Sequence, residues 1–147
     1  MNFTNPISDI LKKDLVTVRP DTLAEDVKNI FNEKNFHHLP VVDDYGKLQG
    51  IISKVDLLRM EKLMANRPAT SPALTAAGFM TKHPRYLSPS DELIDAAHIF
   101  LENKIHALPI IQDQVVVGII TAQDLLALAL EIPYSTISDD DLEFDSL

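Results

Sequence analysis

A nine-residue pattern occurs twice in this chain, and the repetition restricts what the chain can fold into. GIISKVDLL begins at Gly50 and GIITAQDLL begins at Gly118; both contain glycine, two isoleucines, a hydroxyl residue, an aspartate and two leucines. An offset of 69 residues also aligns Pro20 with Pro89, and ten of the 35 positions from Ile10 to Asp44 are then identical. We therefore interpret the chain as two copies of one supersecondary unit.

The two copies span residues 7–61 and 76–132, and residues 62–75 between them have the Pro, Ser, Thr and Asn content of a linker. Gly50 aligns with Gly118 at an offset of 68, so one residue is missing from the second copy, in a turn that tolerates length changes. Residues 133–147 are rich in Asp and Glu, a composition typical of a solvated tail. Weak binding of a divalent cation is the alternative, although the tail lacks the glycine turn of an EF-hand loop.

Each copy is predicted to be a mixed α/β unit of the order strand, helix, strand, strand, helix. Apolar residues recur at helical spacing after Pro20 and Pro89, and Thr22 followed by Glu25 has the spacing of a capping box. The runs HLPVV and ALPII precede a turn and a second apolar run, which indicates a β-hairpin. Because a unit of about 55 residues buries little surface alone, we expect the copies to pack with pseudo-twofold symmetry and paired clefts between them.

Composition excludes several classes of function. The net charge of -9 argues against a protein that binds the nucleic acid backbone. Neither a membrane-spanning run nor a secretory signal is evident, and there is no cysteine, so we expect a cytoplasmic protein with no membrane partner. The four glycines form no phosphate-binding loop and no nucleophile motif occurs; we therefore predict no catalytic residues, no metal site and no enzyme.

The ordered set of LP, two apolar residues, and then the glycine pattern, present twice, resembles the CBS domain. Two copies in tandem resemble a CBS pair, also called a Bateman module, over residues 7 to 132. The resemblance implies a regulatory, energy-sensing module that binds AMP, ADP, ATP or S-adenosylmethionine in its clefts. It also implies a homodimer through the closing helix of each repeat, and an effector protein that the sequence does not identify. The alternative is a dimerisation scaffold that binds no ligand.

The hydroxyl and acidic residues of the repeated pattern have two interpretations. Ser53 with Asp56, and Thr121 with Asp124, have the spacing of N-terminal helix caps. The same helix N-termini also suit a phosphate. The resemblance to CBS pairs favours ligand binding: it implies that the two aspartates hold ribose hydroxyls and that Ser53 and Thr121 approach the phosphate. The resemblance also implies that four residues border the base, namely Thr17, Val18, Tyr86 and Leu87.

Basic residues near the LP step complete the predicted site. The resemblance implies phosphate contacts from His37, His38 and His106, whereas the alternative is a polar residue at a strand entrance. Lys54 begins the closing helix of the first copy, but alanine occupies its equivalent and that of His38 in the second copy. We therefore expect one cleft to hold a more highly charged adenine nucleotide than the other.

Overall fold

The computed structural model describes residues 2–12, 14–34 and 36–130, so the predicted acidic tail lies outside the described part. The chain has a mixed α/β fold, as predicted. Its elements are α1 (Ala24–Lys34), β1 (His38–Val42), β2 (Leu48–Ser53), α2 (Lys54–Ala65), β3 (Thr81–Lys82), α3 (Leu93–Asn103), β4 (Ala107–Gln112), β5 (Val115–Thr121) and α4 (Ala122–Ala129). Short 3-10 turns lie at Ile7–Asp9 and Ala76–Gly78. Among these described helices, none has the length and hydropathy needed to cross a bilayer.

The chain forms two compact units whose boundaries differ from those of the sequence repeats. Among the described residues, the first unit consists of residues 16–34 and 36–84, and the second unit of residues 2–12, 14–15 and 85–130. The opening segment of each repeat, residues 2–12 and 14–15 in one and 76–84 in the other, therefore packs with the remainder of the other repeat. We call these two pieces the opening segments.

The first unit is built on a three-stranded sheet in the order β1, β2, β3. β1 and β2 are antiparallel, with His38 opposite Ser53 and Val41 opposite Gly50, and β3 in the opening segment pairs with the other edge of β2. The core of this unit comprises Val18, Ala24, Val27, Phe31, Leu39, Val41, Ile52, Leu57, Met60, Ala76 and Phe79. The last two of these come from the opening segment.

The second unit repeats the hairpin with β4 and β5. Ala107 lies opposite Thr121 and Ile110 opposite Gly118, and the register shifts immediately after Ile110, as it does after Val41 in the first hairpin. Its core comprises Ile7, Ile10, Leu93, Ala96, Ile99, Leu108, Ile110, Ile120 and Leu125. The first two again come from an opening segment.

The short extended piece predicted at the start of each repeat makes one parallel bridge to the hairpin of its unit. Val18 bridges Val41: its amide donates to the Pro40 carbonyl at 3.1 Å, and its carbonyl accepts from the Val42 amide at 2.9 Å. The next bond of a parallel ladder would come from the amide of residue 20, and proline has none. Leu87, two residues before Pro89, makes the equivalent bridge to Ile110.

The first helix begins at Ala24 and not directly after Thr22, so the predicted Thr22 cap is wrong. The Thr22 hydroxyl instead accepts from the Arg19 amide at 2.9 Å, within the turn before the helix. The Glu25 carboxylate remains in the first helical turn, where the helix dipole favours an acid.

The hairpin turns contain the length difference predicted from the two offsets. In the first hairpin, the Asp43 carboxylate accepts from the Lys47 and Tyr45 amides at 2.9 Å each. These bonds, the one from Lys47 first, hold the pKa of Asp43 below its ordinary value. The second hairpin turns through Asp113 and Gln114, which have φ values of 52° and 70°.

Candidate functional site

The hydroxyl and aspartate of the first repeat form a helix cap. Ser53 ends β2 in an extended conformation and is the N-cap of α2. The Asp56 amide donates to Ser53 Oγ at 3.2 Å, and the Ser53 amide donates to Asp56 Oδ2 at 2.9 Å. These reciprocal bonds form a capping box, which explains how an aspartate that is 7% exposed is accommodated.

The second repeat builds the same cap at the start of α4. The Asp124 amide donates to Thr121 Oγ1 at 3.2 Å, and the Thr121 amide donates to Asp124 Oδ2 at 2.8 Å. Asp124 is 8% exposed. The helix-cap interpretation of the repeated pattern is therefore correct at both positions. In both aspartates the Oδ2 atom accepts from the backbone amide of the capping residue.

The Oδ1 atom of Asp56 has further partners that the sequence analysis missed. Arg59 Nη2 donates to Asp56 Oδ1 at 3.0 Å and to the Phe79 carbonyl at 2.7 Å. The Thr81 hydroxyl lies 3.4 Å from Oδ1 and 3.3 Å from Oδ2. Arg59 follows Asp56 by three residues on a helix, a spacing that could have indicated this ion pair.

At Asp124 a lysine takes the place that Thr81 has beside Asp56. Lys12 Nζ lies 3.8 Å from Asp124 Oδ1. The offset of 69 makes Lys12 the equivalent of Thr81, so each opening segment presents the same position to the aspartate of the unit with which it packs. The sequence alone carried no signal for Lys12, because the aspartate it contacts is 112 residues away.

The backbone holds the predicted basic residues of the first unit near its cap. The Lys54 amide, the first of α2, donates to the His37 carbonyl at 3.2 Å, and His38 is opposite Ser53 across the hairpin. In the second unit the Ala122 amide donates to the His106 carbonyl at 2.9 Å. The structure therefore places His37, His38 and Lys54 at the strand end that carries Ser53, and His106 at the equivalent end near Thr121.

The residues predicted to border the base lie on the far edge of each hairpin. Val18 is 4% exposed, belongs to the core of the first unit, and bridges β1 on the edge away from β2. Thr17 beside it is half-buried, as is Leu87 at the equivalent bridge of the second unit. Tyr86 is 59% exposed. Val18 thus contributes backbone and core packing at this position.

No cluster of three or more His, Asp or Glu side chains that could hold a metal ion occurs among the described residues. The caps consist of hydroxyl groups, backbone amides and carboxylates. A basic side chain lies near each carboxylate, Arg59 at Asp56 and Lys12 at Asp124. Such groups can bind a phosphate at the helix N-terminus and hydroxyl groups at the carboxylate.

The sequence matches the CBS domain family model twice, over residues 7–62 and 76–131. A homoserine O-acetyltransferase of Methanosalsum zhilinae is 34% identical over 121 residues, which is 81% of this chain and 23% of that protein. The chain therefore spans about a quarter of the length of that relative.

Two solved structures are similar along most of their length. The crystal structure of CBSX2 in complex with AMP has a TM-score of 0.72 and 31% identity, covering 86% of this chain and 96% of that one. The CBS domain pair of protein MJ0100, in complex with 5′-methylthioadenosine and S-adenosyl-L-methionine, has a TM-score of 0.75 and 26% identity. That alignment covers 87% of this chain and 98% of the MJ0100 chain.

Proposed function

Because the chain belongs to the CBS domain family, with two repeats in tandem, we propose that it is a regulatory module that binds an adenosine-containing ligand. The observation that carries the proposal is the similarity to two CBS proteins solved with AMP or with S-adenosyl-L-methionine. We propose no catalysis by this chain. The matched segment is 23% of the homoserine O-acetyltransferase, and we propose that the activity in that name belongs to the rest of that protein.

The ligand is proposed to bind at the capped N-termini of α2 and α4. Ser53 and Thr121, with the adjoining helix amides, would contact the phosphate or its equivalent. The Asp56 and Asp124 carboxylates would accept from the ribose hydroxyls. Since each Oδ2 already accepts from a cap amide, Oδ1 is the atom assigned to the ribose.

The first unit is proposed to prefer the more highly charged nucleotide. Lys54 and His38 lie next to Ser53, whereas Ala122 and Ala107 occupy the equivalent positions next to Thr121. A cation near a phosphate strengthens the hydrogen bonds made to it. His37, His38 and His106 are proposed to donate hydrogen bonds to the phosphate.

The test is calorimetric titration of AMP, ADP, ATP and S-adenosylmethionine into the wild type, Asp56→Ala and Asp124→Ala. We expect each variant to lose one of two sites, and ATP to lose more affinity than AMP in Asp56→Ala. A bound ligand should also raise the free energy of unfolding by about 2.7 kcal/mol at a hundredfold excess over its Kd. The matched control is Asp113→Ala, which removes an aspartate that belongs to neither cap and lies in the exposed turn of the second hairpin.

If none of these ligands binds the wild type or raises its melting temperature, the ligand-free scaffold is the better description. Equal losses of ATP and AMP affinity in the two aspartate variants would contradict the proposed charge preference while leaving ligand binding intact.

A homodimer through α2 and α4 is the second part of the proposal. Val55 and Leu58 on α2 are 74% and 61% exposed, and Leu126 and Leu130 on or next to α4 are 43% and 62% exposed. Exposed apolar side chains of this size are typical of surfaces that pack against a partner. An effector protein in the cytoplasm, the location expected from the sequence, would contact the assembled dimer.

Sedimentation analysis of the wild type and of Leu58→Lys tests the dimer. We expect the wild type to sediment as a dimer and the variant to shift toward monomer with its circular dichroism spectrum unchanged. Leu101→Lys, at an 81% exposed site on α3, is the control and should remain dimeric. A monomeric wild type at micromolar concentration would contradict this part of the proposal.

A further inference from the structure

We propose that Arg59 is an internal competitor for ligand at Asp56, so that the Asp124 site fills first. This inference rests on the proposed function, because it concerns the order and strength of binding at the two capped helix N-termini. The two units share the repeated pattern but differ in the side chains that neighbour the aspartates. The inference follows from that difference.

One nitrogen of Arg59 makes two hydrogen bonds, and one of them is to Asp56. Its Nη2 donates to Asp56 Oδ1 at 3.0 Å and to the Phe79 carbonyl at 2.7 Å. The side chain is 57% exposed, so it can swing into solvent when another donor takes its place. The planar guanidinium keeps the geometry of such a pair better than a lysine does.

The carboxylate of Asp56 has little acceptor capacity left. It accepts from the Ser53 amide at 2.9 Å, the Ser53 hydroxyl at 3.1 Å, Arg59 at 3.0 Å and the Thr81 hydroxyl at 3.3 Å. An ionised carboxylate offers about four lone-pair sites. A pair of ribose hydroxyls therefore has to displace a donor already present, and Arg59 occupies the assigned atom, Oδ1.

Asp124 is less fully occupied within the described part of the chain. Its Oδ2 accepts from the Thr121 amide at 2.8 Å, and Lys12 Nζ lies 3.8 Å from Oδ1, longer than a hydrogen bond. The offset of 68 places Ala127 at the position of Arg59, so the helical competitor is present in one unit only. Ribose hydroxyls can therefore approach Asp124 Oδ1 without displacing a hydrogen bond from a side chain of α4.

Displacement of Arg59 has a second consequence in the first unit. The Phe79 carbonyl, in the opening segment that packs there, loses the donor that ties it to α2. Ligand binding at Asp56 therefore has to replace two hydrogen bonds of Arg59, and this lowers the affinity of that site relative to the Asp124 site.

The experiment measures AMP binding by calorimetry to Asp124→Ala, which isolates the Asp56 site, with and without Arg59→Ala. We expect Arg59→Ala to tighten AMP binding about three- to tenfold, the range for the net strength of an ordinary hydrogen bond, because the Arg59 side chain is more than half exposed and its ion pair is screened by water. Lys62→Ala, one turn further along α2, removes the same charge without touching Asp56 and is the control. It should leave the affinity within about twofold, the size of a screened surface charge effect.

If the protein binds AMP before the substitution and Arg59→Ala binds AMP equally or more weakly, then Arg59 does not compete with the ligand. The proposed function would still stand in that case. Stronger binding in Lys62→Ala by the same factor would show that the effect does not depend on the contact with Asp56, and would overturn the proposal as well. If the wild type binds neither AMP nor S-adenosylmethionine, the proposed function fails, and the competitor fails with it.

Discussion

Gly50 and Gly118, the first residues of the repeated pattern, each lie beneath an opening segment. A Cβ atom on Gly50 would meet Met80 Sδ at 2.6 Å and the Thr81 carbonyl oxygen at 2.8 Å. A Cβ atom on Gly118 would meet the Leu11 side chain at 2.4 Å. The pattern begins with glycine because the chain that crosses the strand leaves no room for a side chain.

The nature of these contacts predicts unequal costs for alanine. Gly50→Ala should lower the free energy of unfolding by about 1–3 kcal/mol, because the Thr81 backbone oxygen has to move. Gly118→Ala should cost less, because the Leu11 side chain can change rotamer. Urea denaturation measures both, and Gly118→Ala should show favourable coupling with Leu11→Ala in a double-mutant cycle. A larger cost at Gly118 than at Gly50 would contradict this account.

At the scale of elements, the two hairpins share a register and differ in their turns. The second hairpin turns through Asp113 and Gln114, both with positive φ, the sign pattern of a type I′ turn. Glutamine is disfavoured there, because its Cβ approaches the backbone in the left-handed region. Gln114→Gly should therefore raise the free energy of unfolding by about 0.5–1 kcal/mol.

Thermal or urea unfolding measures the effect of Gln114→Gly. The control is Gln112→Gly, at an exposed position of β4 with strand geometry, where glycine should lower the stability by about 0.5–1 kcal/mol. Destabilisation by both substitutions would show that the turn does not limit the stability of this hairpin.

At the scale of the whole molecule, the exchange of opening segments couples stability across the sequence. Ile7 is fully buried in the core of the second unit, more than 80 residues from the core residues that lie outside its own opening segment. Ile7→Ala should cost about 2–4 kcal/mol. Hydrogen exchange should show the loss of protection in α3, β4 and β5 and not in α1, β1 and β2, although Ile7 is nearer to the latter in sequence.

Ile94→Ala is the control for this prediction, since Ile94 lies on α3 of the same unit but is 37% exposed. It should cost less than Ile7→Ala and change exchange rates mainly in its own helix. Loss of protection in α1 and β1 after Ile7→Ala would mean that the opening segment stabilises the repeat that it begins.

The sequence predicted the repeat, the helices, the hairpins and the helix caps, because these depend on local spacing. Residues at helical or alternating periods find their partners within a few positions, as Asp56 does with Ser53 and Asp124 with Thr121. Even the shorter second turn followed from the change of offset. The one error of this kind is local as well: α1 begins two residues after Thr22, so the threonine does not cap it.

The sequence by itself determined that the chain is a pair of CBS repeats with matched caps, since repeated short-range patterns specify both. Only the tertiary structure decided which opening segment packs with which hairpin, and therefore that Thr81 faces Asp56 and Lys12 faces Asp124. Such contacts join residues far apart in sequence. They form in the packing arrangement that buries the most apolar surface, and local sequence spacing does not determine that arrangement.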